Sequence, residues 1–377
     1  MRMFVGWIAA VTIFSSPCGA ISAPYLDQSV PVAPGQVLSA AKRRQVDRSV
    51  DRALAWLVAG QASNGSFPAR PQGQPGITSL CAQALLTRGH LPGTGPYGRS
   101  LDKAIVYMLS CQRPSGLISR MPPEPRLVPL GASRAGMYSH AVTGVVLCEV
   151  YGMTDLRTSA RIGAVIEKAL AFTRRKQTEP KRDPVSQGGW RYLRPKPRGA
   201  GSDLCVTAWQ LMFLRAARNA GFQVPEEQID EAMSFVRGCF VPGRGTFNYI
   251  HPSWRYHRMT PAMAGSGILS FALAGRHNSL VAQSTGRWVL RTDFDNPSRS
   301  WFFYGGYYCS QAMFQLGGEH WRRFYPRLSR ALLSCQRTDG SWGPNWKDDR
   351  IWGKAFTTAV GAQALMVPYQ LLPIYQR

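Results

Sequence analysis

The sequence is short of acid. Its 377 residues hold 45 Lys and Arg against 21 Asp and Glu, a formal net charge of +24. A strongly cationic partner is thereby excluded, and attraction to anionic lipid headgroups, acidic polysaccharide or nucleic acid is favoured. No nucleic-acid recognition motif accompanies the charge, which argues against the last of these. There is no CxxC pair, so zinc-ribbon and thioredoxin-type chemistry is excluded. Beyond residue 23 no apolar run approaches the ~20 residues that a spanning helix needs. A Gly-rich phosphate loop, HExxH, GxSxG and a Cys-Gly-Glu-Gln thioester sequence are all missing. Each absence removes one route to catalysis.

What is present begins with a short leader. Arg2 is followed by an apolar stretch, Met3 to Phe14, and by small residues at Cys18-Gly19-Ala20 and Ile21-Ser22-Ala23. This is the pattern of a secretory signal over 1–23, and it predicts export to a periplasm, an envelope or the medium. Residues 24–45 read as a linker and 46–377 as one domain. Seven cysteines follow the leader, at 81, 111, 148, 205, 239, 309 and 335. Their number is odd, and Cys81, Cys148, Cys205 and Cys309 sit in apolar helical patterns. They read as small hydrophobes and not as a disulfide framework.

From Val46 onward the chain repeats itself. Gln61-Ala62-Ser63-Asn64-Gly65-Ser66-Phe67 is echoed by Gln336-Arg337-Thr338-Asp339-Gly340-Ser341-Trp342, with looser variants at 111–117, 177–190, 243–247 and 301–306. Each phrase lies between an amphipathic run and a more uniformly apolar one. That predicts a helix, a glycine turn, an aromatic plug and a second helix. Six such pairs at a period of ~45–65 residues signal a repeat architecture. One pair cannot cover its own apolar face, so neighbours must stack on it. Apolar second helices rich in small residues belong inside. The expectation is an all-α, closed (α/α)6 toroid with six inner and six outer helices.

The Gln-x-x-x-Gly-Ser-Phe/Trp phrase resembles the repeat of squalene and oxidosqualene cyclases and of protein prenyltransferase β subunits. The resemblance spans about Val46 to Tyr375. It implies a ligand cavity at the centre of the toroid, lined from the starts of the inner helices. Cyclases of this kind carry Asp-x-Asp-Asp-Thr-Ala, whose central Asp is the proton donor. The matching segment is Asp203-Leu204-Cys205-Val206-Thr207-Ala208. Asp203, Thr207 and Ala208 fit, while Cys205 and Val206 stand where two acids belong. A thiol with a pKa of about 8.5 does not protonate an alkene. The segment also resembles the prenyltransferase zinc motif Asp-x-Cys with a Trp four residues on, through Asp203, Cys205 and Trp209. That resemblance implies zinc on Asp203 and Cys205, with its third ligand, a His, replaced by Thr260.

Two readings of function stay open. One is a protein that binds a hydrophobic or lipid-like, isoprenoid ligand in the cavity, with Thr207, Trp209, Tyr304 and Tyr308 on its walls. Aromatic walls suit isoprenoid chains, carbocations or sugar rings. The other is an enzyme, a terpenoid cyclase or prenyltransferase relative or a polysaccharide lyase, with His140 and Asp203 as acid and base. His140 opens the second inner helix, where a cavity residue belongs; a histidine bonded into the core is the competing reading. Proximity of His140 and Asp203 favours catalysis; aromatic packing between them favours binding.

Overall fold

The structure is a computed structural model that describes residues 37–120, 130–194, 199–344, 347–369, 372 and 374. The expected signal, 1–23, lies outside them. Six helix pairs follow one another: α1 (Ala40–Ala59) with α2 (Gly76–Thr87), α3 (Gly98–Ser110) with α4 (Leu130–Val150), and α5 (Leu156–Thr178) with α6 (Leu204–Asn219). Next come α7 (Glu226–Gly238) with α8 (Pro261–Leu273), α9 (Leu280–Leu290) with α10 (Phe302–Leu316), and α11 (Gly318–Cys335) with α13 (Lys354–Met366), the short α12 (Lys347–Trp352) preceding the last. The first member of each pair is amphipathic. In α1, for example, Val46, Val50, Ala53, Leu54 and Leu57 form a single buried stripe. The second members are buried on nearly all sides; in α2 every residue is, and in α13 every residue after the exposed Lys354. Such helices can only lie inside.

The inner helices form a ring. α2 packs on α4, α4 on α6, α6 on α8, α8 on α10, α10 on α13, and α13 returns to α2. The expected (α/α)6 toroid is therefore the observed fold.

The repeated phrase is what closes it. Gln61 Nε2 donates to Gly65 O, 2.9 Å away in its own turn, and to Ser100 O of the next outer helix at 3.0 Å. Gln112 does the same toward Val165 O (2.7 Å), Gln177 toward Gln228 O (2.9 Å), and Gln336 toward Ser49 O (2.8 Å). Gln336 and Ser49 lie in the last and first repeats, so this fourth bond seals the ring. The turn glycine sits hard against the same neighbour. A Cβ on Gly340 would stand 2.7 Å from Arg52 O, with φ at +88°, a combination only glycine accepts. The plug is buried beneath, and a side chain of the inner helix caps its backbone N–H: Thr78 for Phe67, Thr207 for Trp190, Thr358 for Trp342.

Local departures from the sequence expectation have local causes. α1 begins at Ala40, not Val46, because Ser39 caps Lys42 N at 3.3 Å. The exposed turn 40–45 has no apolar period, so the expected linker ran too far. α4 and α10 also start earlier than their apolar runs, at Leu130 and Phe302. A two-residue hairpin, β1 (Phe240–Val241) with β2 (Thr246–Phe247), holds the fourth plug where no strand was expected. Phe240 pairs with Phe247 across it.

Candidate functional site

A cavity of about 250 Å³ opens at the end of the toroid where the inner helices begin. Its walls come from the N-terminal turns of α2 and α6, through Ile77, Leu80, Cys205 and Trp209, and from the middle of the longer α4, through Tyr138 and Val142. Met263 of α8, Tyr304 of α10 and Phe356 of α13 complete them. The mouth is built by the loops leading into the inner helices, through Tyr192, Tyr249, Arg258, Trp301 and Trp352, with Arg134 on the first turns of α4. Among the described residues the lining holds two arginines and no carboxylate.

The aromatic walls brace one another. Trp209 stacks on Tyr307 with ring centres 5.6 Å apart, and its Nε1 donates to Tyr304 Oη at 3.2 Å. Tyr308 meets both Trp209 (5.6 Å) and Tyr304 (5.1 Å) edge-on. It is fully buried and forms a layer beneath the wall. Of the four expected cavity residues, Trp209 and Tyr304 line the space and Tyr308 supports it. Thr207 does not face it. Its Oγ1 accepts Trp190 N at 3.1 Å, so this threonine serves the plug.

Asp203 is fully buried at the N-cap of α6. Oδ1 accepts Val206 N at 2.9 Å. Oδ2 has no hydrogen bond and faces Arg191 Nη1 at 3.8 Å. Burial raises its carboxyl pKa, against the pull of Arg191. Arg191 in turn lies over the Tyr192 ring (4.9 Å) and the Tyr249 ring (5.5 Å). The pair sits behind the two tyrosines of the mouth and not in the open space.

Cys205, at the position of the expected proton donor, does line the cavity. Its Sγ is 3.7 Å from Met263 Sδ. Burial, reinforced by the charge of Asp203, pushes its thiol up to about 12. A thiol so held neither protonates an alkene nor forms a thiolate near neutrality. Zinc does not fit either. No group of three metal-ligating side chains occurs among the described residues, and one oxygen of Asp203 is taken by the α6 cap. His257, the nearest histidine upstream of α8, is exposed.

His140 is not in the cavity. Its Nδ1 accepts Ile118 N at 3.1 Å, so Nε2 carries the proton and donates to Thr173 Oγ1 at 2.9 Å. The ring meets Phe172 and Phe213 edge-on at 5.0 and 5.8 Å. It performs for the second repeat what threonine does in the first, third and sixth. Burial drops its pKa to about 3. His140 and Asp203 share no bond. What links them is the buried Trp190, whose Nε1 donates to Thr173 O and whose O accepts Asp203 N. Among the described residues the bonds of His140 lead to Ile118 and Thr173, and those of Asp203 to α6 and Trp190.

Sequence reasoning missed Tyr138, Tyr249, Arg258 and Trp352 as lining residues. The usable signal was position for Arg258 and Trp352, which lie within three residues of an inner helix start as Tyr304 does; Tyr138, deep in α4, and Tyr249, twelve residues before α8, carried no such signal.

No protein-family model matches the chain, and no curated protein matches it in sequence. Solved structures match its fold. A variant of the type II terpene cyclase MstE from Scytonema, in complex with merosterolic acid A as product, superposes with a TM-score of 0.58 at 15% identity, over 89% of this chain and 100% of that one. Another MstE variant, in complex with geranylgeranyl dihydroxybenzoate as substrate, gives 0.57 at 14% identity over 89% and 100%. The GH76 α-mannanase from Bacteroides thetaiotaomicron gives 0.53 at 10% identity over 86% and 96%. The chain thus has the terpenoid cyclase-like α/α toroid fold.

Proposed function

We propose that this protein binds an apolar, isoprenoid-like molecule in its central cavity and does not cyclise it by the acid route. The observation that carries this is the chemistry of the lining. Aromatic rings and Ile77, Leu80, Val142 and Met263 surround the space, and the proton donor's place is held by the inert Cys205 thiol. Terpene cyclase neighbours holding a geranylgeranyl substrate and its cyclised product support the ligand class. The mannanase neighbour supports it less, because glycoside hydrolysis needs paired carboxylates and the described lining has none. The catalytic alternative through His140 and Asp203 draws no support from their placement. At ~30 Å³ per water, the cavity holds roughly eight waters' volume. A prenyl chain longer than that must extend through the mouth. Export, and attraction of the basic surface to anionic envelope lipid or polysaccharide, belong to the same proposal; they rest on the 1–23 pattern and the +24 charge.

Native mass spectrometry of protein purified from its own host tests the reading. The expected result is a retained apolar molecule, lost in Ile77→Trp, which fills the cavity, while that variant keeps wild-type circular dichroism. An apo mass together with unchanged tryptophan emission on titration with geranylgeraniol would overturn it.

A further inference from the structure

Among the described residues the charge at the cavity mouth is of one sign. Arg258 lies between two aromatic faces, its guanidinium carbon 5.8 Å from the Tyr249 ring centre and 5.9 Å from that of Trp301. No carboxylate among the described residues comes within 4.0 Å of it. Arg134 stands exposed on the same lining. The neighbouring Arg191 has its own anion, Asp203; among the described residues these two have none.

Trp301 adds a second, independent observation. Its indole Nε1–H is buried and donates to nothing. Buried donors are nearly always paired, so an orphan in a residue that lines the mouth calls for an acceptor that the described residues do not provide. The residue is also held at φ +61°, in the left-handed region, immediately before α10. A bulky residue held there costs ~1–2 kcal/mol, a strain that persists at sites where the geometry serves something else. A guanidinium without a counter-ion and an N–H without an acceptor share one corner of the mouth. One acceptor oxygen would serve both, and the guanidinium favours one that carries negative charge.

We propose that Arg258, Trp301 and Arg134 form the head-group subsite of an amphipathic ligand whose head is a carboxylate or phosphate and whose apolar chain occupies the aromatic cavity. The inference rests on the apolar-ligand reading above and adds the polarity and orientation of that ligand. The chain lies inward against Trp209 and Tyr304, and the anion lies outward at Arg258. A charged head bonded to a half-buried guanidinium forms a charge-assisted contact, stronger than any a hydroxyl head makes there.

The test compares four probes on purified full-length protein by isothermal titration: farnesol, farnesoic acid, farnesyl phosphate and inorganic phosphate. Farnesoic acid and farnesyl phosphate are expected to bind at least about tenfold tighter than farnesol, or ~1.4 kcal/mol. The tighter of the two identifies the head as carboxylate or phosphate. Inorganic phosphate alone is expected to bind weakly, because it has no chain to anchor it. In Arg258→Gln, and to a smaller extent Trp301→Phe, the charged and neutral probes should converge to within threefold. Equal affinity of farnesol and the charged probes in the wild type would overturn the head-group subsite and leave the apolar reading standing. Failure of all three prenyl probes would overturn that reading too. A preference for charged probes that survives Arg258→Gln in a variant of unchanged melting temperature would remove Arg258 from the subsite. Inorganic phosphate binding as tightly as farnesyl phosphate would mean an adventitious ion site only.

Discussion

Replacing Gln336 with alanine should open the toroid at one seam. The amide of Gln336 donates to Ser49 O and to Gly340 O, each at 2.8 Å, and its oxygen accepts Ser49 Oγ at 2.7 Å and, on the exposed side, Arg52 Nη2 at 2.5 Å, a bond that water can replace. Ser49 is 1% exposed, so water cannot easily replace the bonds to it. At about 1 kcal/mol per bond, and more where an acceptor is left orphaned, the loss comes to about 3 kcal/mol. The damage should also be local. Ser49 belongs to α1 and Gln336 follows α11, so amides of those helices should exchange faster with solvent while α6 keeps its protection. Gln177→Ala is the internal comparison. Gln177 makes the same pair of bonds, to Gly188 O and Gln228 O at 2.9 Å, between repeats adjacent in sequence. Its cost should be similar, with the faster exchange moved to α5 and α7. Gln45→Ala, at an exposed position bonded only to Lys42 Nζ, should cost under ~0.5 kcal/mol. Thermal melts and hydrogen exchange read both quantities. A Gln336→Ala cost as small as that of Gln45→Ala, or loosening spread evenly around the ring, would refute the clamp.

Two buried titratable groups act on stability with opposite signs. His140 has its pKa lowered from 6.5 to about 3, so between those values the unfolded chain binds the extra proton and stability falls as pH falls. His140→Thr should lose ~2 kcal/mol at pH 7, through the void and the lost Thr173 bond, yet decline less than wild type between pH 6.5 and 4 in thermal melts. Glu149 has its carboxyl raised from 4.5 to about 7 by burial, with Oε1 accepting Ile374 N at 3.1 Å. Its contribution is intact below pH 4.5 and is lost as pH rises through 7. Glu149→Gln should therefore melt like wild type at pH 4 and higher than wild type at pH 8.

The sequence disclosed the ring because the ring is built from local repetition. Gln61, Gly65 and Phe67 recur as Gln336, Gly340 and Trp342, and the inner helices are apolar on every face. The same phrase shows that a glutamine and a glycine belong together; it does not show that the glutamine reaches into the next repeat. A carbonyl at Ser49 carries no side-chain signature, so its bond to residue 336 becomes visible only in three dimensions. His140 was misplaced for a related reason. The apolar run suggests that His140 opens the helix, whereas α4 begins at Leu130 and places it in mid-helix, where its ring turns to Ile118 and Thr173, far off in sequence. Thr207 failed likewise: threonine recurs at that place in the first and sixth repeats, and the recurrence marked a plug cap. Arg258 was hidden because loops into inner helices follow no period.

That division points to how the molecule distributes its tasks. Residues that repeat, the Gln–Gly clamps and the plug-capping threonines, hold the perimeter together. Residues that break the repeat face the hollow: Cys205 where the resemblance calls for acid, Arg258, and Trp301 with its strained backbone. A closed ring of mutually clamped pairs leaves its inner helix starts free to vary, since none of the four clamp glutamines or their carbonyl partners lies on the cavity wall. The same toroid can then serve a terpene cyclase and a mannanase without sharing chemistry, and fold alone does not choose between them. The choice for this chain has to be read from the residues that depart from the pattern, and those describe an aromatic pocket with a cationic lip.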